Sequence, residues 1–331
     1  MDASDRRAAR AALHALAAGD ARVLAPGHRL HASHPWGAET GGDAPWAALR
    51  AAFGTLERRD AILVAGDNHP DPRTDAIMPD RAPRLVAAMG SYLGRFERPL
   101  LGIPPTHGVA MLDYGEAHWI EDGSIRASWL MWDLAALMIR AGSWPLAAPL
   151  GAPGLWPAPA TQDGLRPAPE PGESGASLAR VLEMHDILHA YANGPIEEID
   201  MRHWHPDFLY WAGGGIGAAR GVDGFRAHHQ IPYRRAFPRV RGIGHFVRLS
   251  DGPYAVTGGD LAVTHSGAEY LGCGPSGREL TFRVMDFYRL DADGLIAENW
   301  LPNDTLGLLA QMGVDALARV AHHGGAPRRG L

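Results

Sequence analysis

"DGSIRASWLMWDLAALMIRAG", residues 122–142, and "DGLIAENWLPNDTLGLLAQMG", residues 293–313, follow one spacing: Asp-Gly, five residues, Trp, three residues, Asp, eight residues, Gly, with no gap. Each part has a physical reading. Asp-Gly makes a tight turn because glycine tolerates φ > 0. An alternating strand follows, and Asp133 or Asp304 then caps a short helix that Gly142 or Gly313 ends. Both aspartates are therefore read as N-caps rather than as catalysts.

Upstream, "LLGIPPTHG" (100–108) answers "YLGCGPSGR" (270–278), a loop before the penultimate strand, and "AALHALAAG" answers "DILHAYANG" in amphipathic helices. These correspondences, in one order, point to a tandem duplication. Between the copies lies "PLGAPGLWPAPATQDGLRPAPEPGES", where proline locks φ and removes donors, so residues 149–176 read as a semi-rigid linker. The expected layout is 1–148, linker 149–176, and 177–331; a chain of 331 residues is long enough for two cores. Each half reads helix, helix, several long alternating strands and a short helix. The fold class is α+β: two tandem cone-shaped units, each a curved antiparallel sheet wrapped around helices, with a pocket under the concave face.

Composition narrows the class. With 46% apolar and 21% charged residues the chain reads as soluble and globular, and a net charge of −6 argues against a nucleic-acid or anionic-membrane footprint. One cysteine, Cys273, excludes an intrachain disulfide and a Cys-rich zinc site. The N-terminus lacks a signal-peptide pattern and no run is apolar enough to span a bilayer, so a cytoplasmic location is expected.

In "TFRVMDFYRL" (281–290) Asp286 sits between Met285 and Phe287, where a charge is costly without a partner. If Gly274–Gly277 form a four-residue hairpin loop, Leu261 faces Leu290, Val263 faces Tyr288, Gly267 faces Val284 and His265 faces Asp286. Opposed side chains in such a pair are close enough for an imidazole–carboxylate hydrogen bond. The pair His265–Asp286 is thus the expected catalytic dyad, or else a buried pair kept for folding specificity. Phe225, His229, Tyr233 and Phe237 recur every four residues, which points His229 and Tyr233 inward. The expected pocket consists of His229, Trp211, Tyr233, Tyr288, Trp300 and His205. His203, His205, His229 and His265 match no regular metal motif, so no metal is expected. "AGGGIGAARG" (212–221) lacks the context of a phosphate cradle, and no G-x-S-x-G elbow is present. In the gapless alignment Gly115 falls at Asp286 and a residue near Arg95 at His265, which assigns the chemistry to the second half. "HPWG" (34–37), Trp129 and Trp132 read as core packing, with the lining of an apolar pocket in the first half as the alternative.

"HWHPDF", "GIGAARGVDGFRAHHQIPYRRAFP", "HSGAEYLGCGPSGRELTFRVMDFYRL" and "DGLIAENWLPND" resemble the SnoaL-like polyketide cyclase branch of the nuclear transport factor 2-like superfamily. The first half's "MGSYLGRFERPLLGIPPTHG" and "DGSIRASWLMWD" resemble a more divergent copy. The resemblance implies a cystatin-like cone and, in the cyclases, ring closure by a pocket His and Asp without metal or organic cofactor. The cyclases' His falls at or beside Asp286 and their acid at Leu301, so His265 with Asp286 is a substitute dyad. Arg283 and Asp286 face opposite ways, which disfavours the family's Asp-Arg-Asp water activation. The expected activity is a cofactor-independent cyclase, isomerase or dehydratase acting on a small apolar carbonyl or hydroxyl compound; the alternative is a non-catalytic binder of a small molecule. The resemblance also implies an intrachain pseudo-dimer across the convex faces, which would cover Met285 and Phe287 beside Thr281 and Arg283, with further association of whole chains left open.

Overall fold

The computed structural model describes residues 1–69, 71, 83–169, 175–190 and 195–325. Residues 170–174 of the expected linker, 191–194 of "DILHAYANG" and the tail 326–331 lie outside the described residues.

Chain order in the first half is α1 (Ala3–Ala18), β1 (Leu24–Ala32), β2 (Ala38–Thr40), α2 (Ala44–Ala52), β3 (Phe53–Asp67), β4 (Arg84–Phe96), β5 (Val109–Glu121), β6 (Ser124–Trp132) and α3 (Leu134–Arg140). The second half runs α4 (Ala176–Ala190), β7 (Trp204–Ala212), β8 (Ala218–Arg220), α5 (Gly221–Phe225), a π-helical turn (Arg226–Gln230), α6 (Ile231–Ala236), β9 (Arg239–Asp251), β10 (Tyr254–Thr264), β11 (Glu279–Leu290), β12 (Ile296–Leu301), α7 (Thr305–Gln311) and α8 (Ala316–Gly325). The two six-stranded sheets share one order, β2-β1-β6-β5-β4-β3 and β8-β7-β12-β11-β10-β9. The expected antiparallel sheet is in fact mixed. β1 lies parallel to β6 and β7 parallel to β12, because the first long strand of each half joins the sheet beside the last.

One face of each sheet packs on its own helices, through Leu13, Leu16, Trp46 and Leu49 in the first half and Val181, Met184 and Tyr233 in the second. The other faces pack on each other. Val64, Met89, Trp129 and Met131 meet Phe246, Val256, Met285, Phe287 and Trp300 in one buried cluster, each large side chain stabilising by about 1.5–3 kcal/mol.

The Asp-Gly, Trp, Asp spacing explains how this contact is locked. Asp133 caps α3 by accepting from the Ala136 amide at 2.8 Å, and its second oxygen accepts from the amide of Gly214, beyond β7, at 2.6 Å. Asp304 caps α7 by accepting from Gly307 at 2.9 Å and accepts from the amide of His34, beyond β1, at 3.1 Å. Each cap thus closes its own helix and grips the other half. The glycine-rich loop serves this grip: a Cβ on Gly214 would lie 2.3 Å from the Ala136 nitrogen.

The Pro-rich segment is a strap rather than a spacer. It pairs with β3 at Leu63↔Leu165 and with β8 at Ala152↔Ala218, and its Pro157 carbonyl accepts from Trp300 Nε1 at 3.0 Å. Among the described residues, no helix is long and apolar enough to cross a membrane.

Candidate functional site

Asp286 lies on β11, and its carboxylate faces a cavity of about 170 Å³ between the second sheet and its helices. Leu261, Phe282, Val284 and Leu301 line the sheet side. His185 and His189 come from α4, and His229, Gln230 and Tyr233 from the segment running through the π turn.

The residue opposite Asp286 is Thr257, not His265. β10 ends at Thr264 and β11 begins at Glu279, so the connection is far longer than the expected four residues. The reason lies at "HSGA": Gly267 packs against the end of α6, where a Cβ would lie 1.8 Å from the Arg235 carbonyl oxygen, and the Ala268 amide donates to that oxygen at 2.7 Å. The chain therefore leaves the sheet at His265 and makes a tight turn at Tyr270–Cys273, with Leu271 and Gly272 at positive φ. His265 is fully buried against Phe237, its Nδ1 accepting from the Ser276 amide at 3.3 Å, and it does not line the cavity. The His265–Asp286 dyad does not form. The eight-residue shift is even, so the face assigned to Asp286 stands while its partner changes.

Of the expected pocket residues, His229, Tyr233 and Tyr288 line the cavity. Trp211, Trp300 and His205 do not. Trp300 is buried between the sheets and Trp211 packs against the same cluster, because alternation turns both away from Tyr210 and Asn299. His205 sits at the start of β7, where its Nδ1 accepts from the Asp207 amide. The rings of Phe225, His229, Tyr233 and Phe237 do lie in succession, with centroids 5.1, 5.8 and 5.1 Å apart, His229 stacked on Tyr233 and the flanking pairs tilted. A four-residue spacing drifts about 40° per step around an α-helix, and the wider π turn takes up part of that drift ahead of Pro232, whose missing N–H breaks the ladder.

Asp286 takes its chemistry from the wall around it. Burial is the main effect and lifts its carboxyl to about 7, against hydrogen bonds from Asn299 and Tyr288 that hold it down. Asn299 Nδ2 donates to it at 3.0 Å. Among the described residues it makes no ion pair, and it is the one carboxylate in the cavity lining. Tyr288, two residues on, bonds to His185 Nε2 at 3.0 Å through its hydroxyl. His185 lies well below the usual imidazole range because it is buried, and because His245, His189 and Arg248 stand close. Burial also lowers His229, to about 3. Both rings are therefore neutral at physiological pH. Among the described residues, His185 Nδ1, Tyr210 Oη, His229 Nδ1, Gln230 Oε1 and Tyr233 Oη are buried without a hydrogen-bond partner. Among the described residues, no cluster of three or more His, Cys, Asp or Glu is placed to hold a metal ion.

The first sheet shows what closes such a cavity. Trp129 pairs with Ala117 in the first sheet and Trp300 with Phe287 in the second, so the preceding residues, Glu116 and Asp286, hold the same rung. Gly115, taken from the gapless alignment as the counterpart, matches Met285; a Cβ there would strike Pro302 Cγ at 2.2 Å. The alignment slips because the turn before the last strand is longer in the second half. Unlike Asp286, Glu116 is fully neutralised: Arg58 Nη1 donates to it at 2.5 Å, Trp132 Nε1 at 2.7 Å and Tyr92 Oη at 3.0 Å, with His118 Nε2 at 3.1 Å. Burial opposes its ionisation, but Arg58 and His118 outweigh that and hold it below the usual carboxylate range.

Residues 184–312 match the SnoaL-like polyketide cyclase family model. The matched region runs from within α4 to the end of α7 and contains every residue lining the cavity. Solved structures similar to part of the chain include IdmH from Streptomyces antibioticus, at 25% identity over 40% of this chain and 98% of that one, with a TM-score of 0.33. TsrD from Streptomyces laurentii matches at 23% identity over 41% and 96%, TM-score 0.33. An NTF2-like protein from Burkholderia thailandensis matches at 17% over 42% and 97%, TM-score 0.34. None of the curated proteins matches the chain.

The sequence reading missed His185, His189, His245 and Asn299 as site residues, all on the cavity wall. His185 and His189 carried a signal, a four-residue spacing on one helix; His245 and Asn299 carried none without the register.

Proposed function

We propose that the second cavity is the active site of a cofactor-independent acid–base enzyme of the SnoaL-like type, acting on a small, largely apolar carbonyl or hydroxyl compound. Asp286 is its proton-transfer group. One observation carries the reading: a carboxyl in an apolar cavity, without an ion partner, pushed up to about 7. In the ionised form Asp286 takes a proton from the carbon beside a carbonyl group. The Tyr210 and Tyr233 hydroxyls, unpartnered among the described residues, supply donors for the oxygen on which charge develops. Leu261, Phe282, Val284 and Leu301 exclude water and keep the carboxylate basic. Returning the proton at another carbon gives an isomer, passing it to a departing hydroxyl gives dehydration, and attack of the carbanion on a second carbonyl closes a ring.

We read the chain as two tandem copies with divided labour. The shared strand order and the matched rungs of Glu116 and Asp286 support this. The copies pair within the chain, and Arg58 fills in the first the space that a ligand takes in the second. A plain binding protein is the second reading, favoured by the unpartnered polar atoms, which a bound ligand satisfies without turnover.

The test is deuterium incorporation. Small ketones and β-hydroxy ketones are incubated in deuterated buffer with the wild-type chain and with Asp286→Asn. Catalysed exchange beside the carbonyl by the wild type alone supports the enzyme. Saturable binding by both proteins with no exchange supports the binder.

A further inference from the structure

His245 stands on the wall of the second cavity, and the group that orients it is held by the first half of the chain. Arg248 Nε donates to His245 Nδ1 at 3.2 Å, with Nη2 at 3.1 Å from the same nitrogen. That Nη2 also donates to Asp71 Oδ2 at 2.9 Å, forming an ion pair. Asp71 belongs to the segment that follows β3. Its amide donates to the His245 carbonyl at 2.9 Å, while the Asn68 side chain donates to the Phe246 carbonyl at 3.1 Å and accepts from the Arg248 amide at 2.9 Å. The His69 amide donates to the Arg248 carbonyl at 2.9 Å. Three residues of the first half are thus laced along β9 opposite His245.

A guanidinium has donors and no acceptor, so the nitrogen it faces has to be the unprotonated one. We infer that the first half completes the second half's site: Asp71 is a positioning residue that holds Arg248 against Nδ1 of His245 and so fixes the His245 proton on Nε2. The consequence runs inward. The His245 ring stacks on His185 at 5.2 Å, nearly parallel, and His185 bonds to the Tyr288 hydroxyl beside Asp286. A fixed, neutral His245 backed by a permanent cation keeps His185 neutral as well, so Tyr288 holds one hydrogen-bonding direction toward the reacting carboxyl. The inference builds on the acid–base reading of the cavity, yet its test needs no substrate.

The measurement is the tautomeric state of His245 in the full chain, read from long-range proton–nitrogen spectra of ring-labelled histidine at neutral pH. In the wild type His245 shows a single Nε2–H form with Nδ1 as acceptor; an Nδ1–H form overturns the inference without recourse to any variant. Arg248→Met gives His245 an Nδ1–H population and shifts the His185 resonances. Asp71→Ala acts in the same direction, and Asp71→Asn, which still accepts from the guanidinium, restores the wild-type spectrum. Unchanged His245 signals in Arg248→Met, or no recovery in Asp71→Asn, contradict the role. A wild-type spectrum as described, in a protein that catalyses no deuterium exchange, removes the proposed enzyme and leaves the positioning intact.

Discussion

Glu116 and Asp286 hold the same rung of two matching sheets and are kept in opposite states. Glu116 is ionised because Arg58, Tyr92, Trp132 and His118 surround it. Asp286 has an amide and a phenol beside it and a cavity in front, and titrates near neutrality. The contrast separates a filled interior from an open one without appeal to any ligand.

Arg58→Met leaves Glu116 buried without its cation, a loss of about 3–5 kcal/mol. The double variant Arg58→Met/Glu116→Gln recovers part of it, because the orphaned charge is removed. Urea unfolding of the two variants and the Glu116→Gln single variant checks this. Equal stability of Arg58→Met and the double variant would show that the charge pair does not govern the first interior.

Asp286→Asn lowers turnover by roughly 10²–10⁴-fold, the usual worth of a general base. It also changes the pH dependence of stability. The carboxyl of Asp286 is raised in the folded state to about 7, from the ordinary value of 3.8. The folded chain therefore holds a proton that the unfolded chain has released, and wild-type stability falls as pH rises through that window before levelling above 7. Asparagine lacks this penalty. The variant gains on the wild type by on the order of 1–3 kcal/mol between pH 5 and pH 8. Thermal unfolding of both proteins across that range reads the difference.

Leu261 and Tyr92 also share a rung, since Tyr92 lies opposite Leu112, four rungs from Glu116, and Leu261 opposite Phe282, four from Asp286. Leu261→Tyr copies the filled interior into the second sheet. The cavity contracts and ligand affinity drops by about tenfold or more, while stability changes by less than about 2 kcal/mol. Calorimetric titration with any compound found to bind, beside a melting curve, tests the two parts separately.

Asp133→Ala and Asp304→Ala each remove a helix cap and a bond to the other half. Each costs about 1–3 kcal/mol, more than an N-cap at an exposed helix. Gly214→Ala costs a comparable amount by driving a methyl group into the backbone at Ala136. Denaturant midpoints decide this. A loss below about 0.5 kcal/mol in both aspartate variants would mean that the crossed caps contribute little.

Much of this was legible in the sequence, for stated reasons. Asp133 and Asp304 were readable as caps because a cap is local, but their grip on Gly214 and His34 spans halves of the chain and has no local signature. The face of Asp286 was readable because strand alternation survives any even shift in register. Its partner was not, since Gly267 takes the chain out of the sheet through packing on Arg235, a contact that no periodicity encodes. β7 was hidden in a run of aromatics and histidines whose alternation reads as strand only once its parallel neighbour β12 is known. His245 entered the site by the same long-range route, through a register fixed by bulges in β9.

The proposed role of Asp286 is that of a proton-transfer group poised at neutral pH inside the second cavity. Its most direct test is the carbon-13 titration of the Asp286 carboxyl in the wild-type chain, assigned by comparison with Asp286→Asn. The expected midpoint is near 7, moving upward in Asn299→Leu, which loses the hydrogen bond that holds it down. A midpoint in the ordinary aspartate range near 4, unmoved by Asn299→Leu, would contradict it.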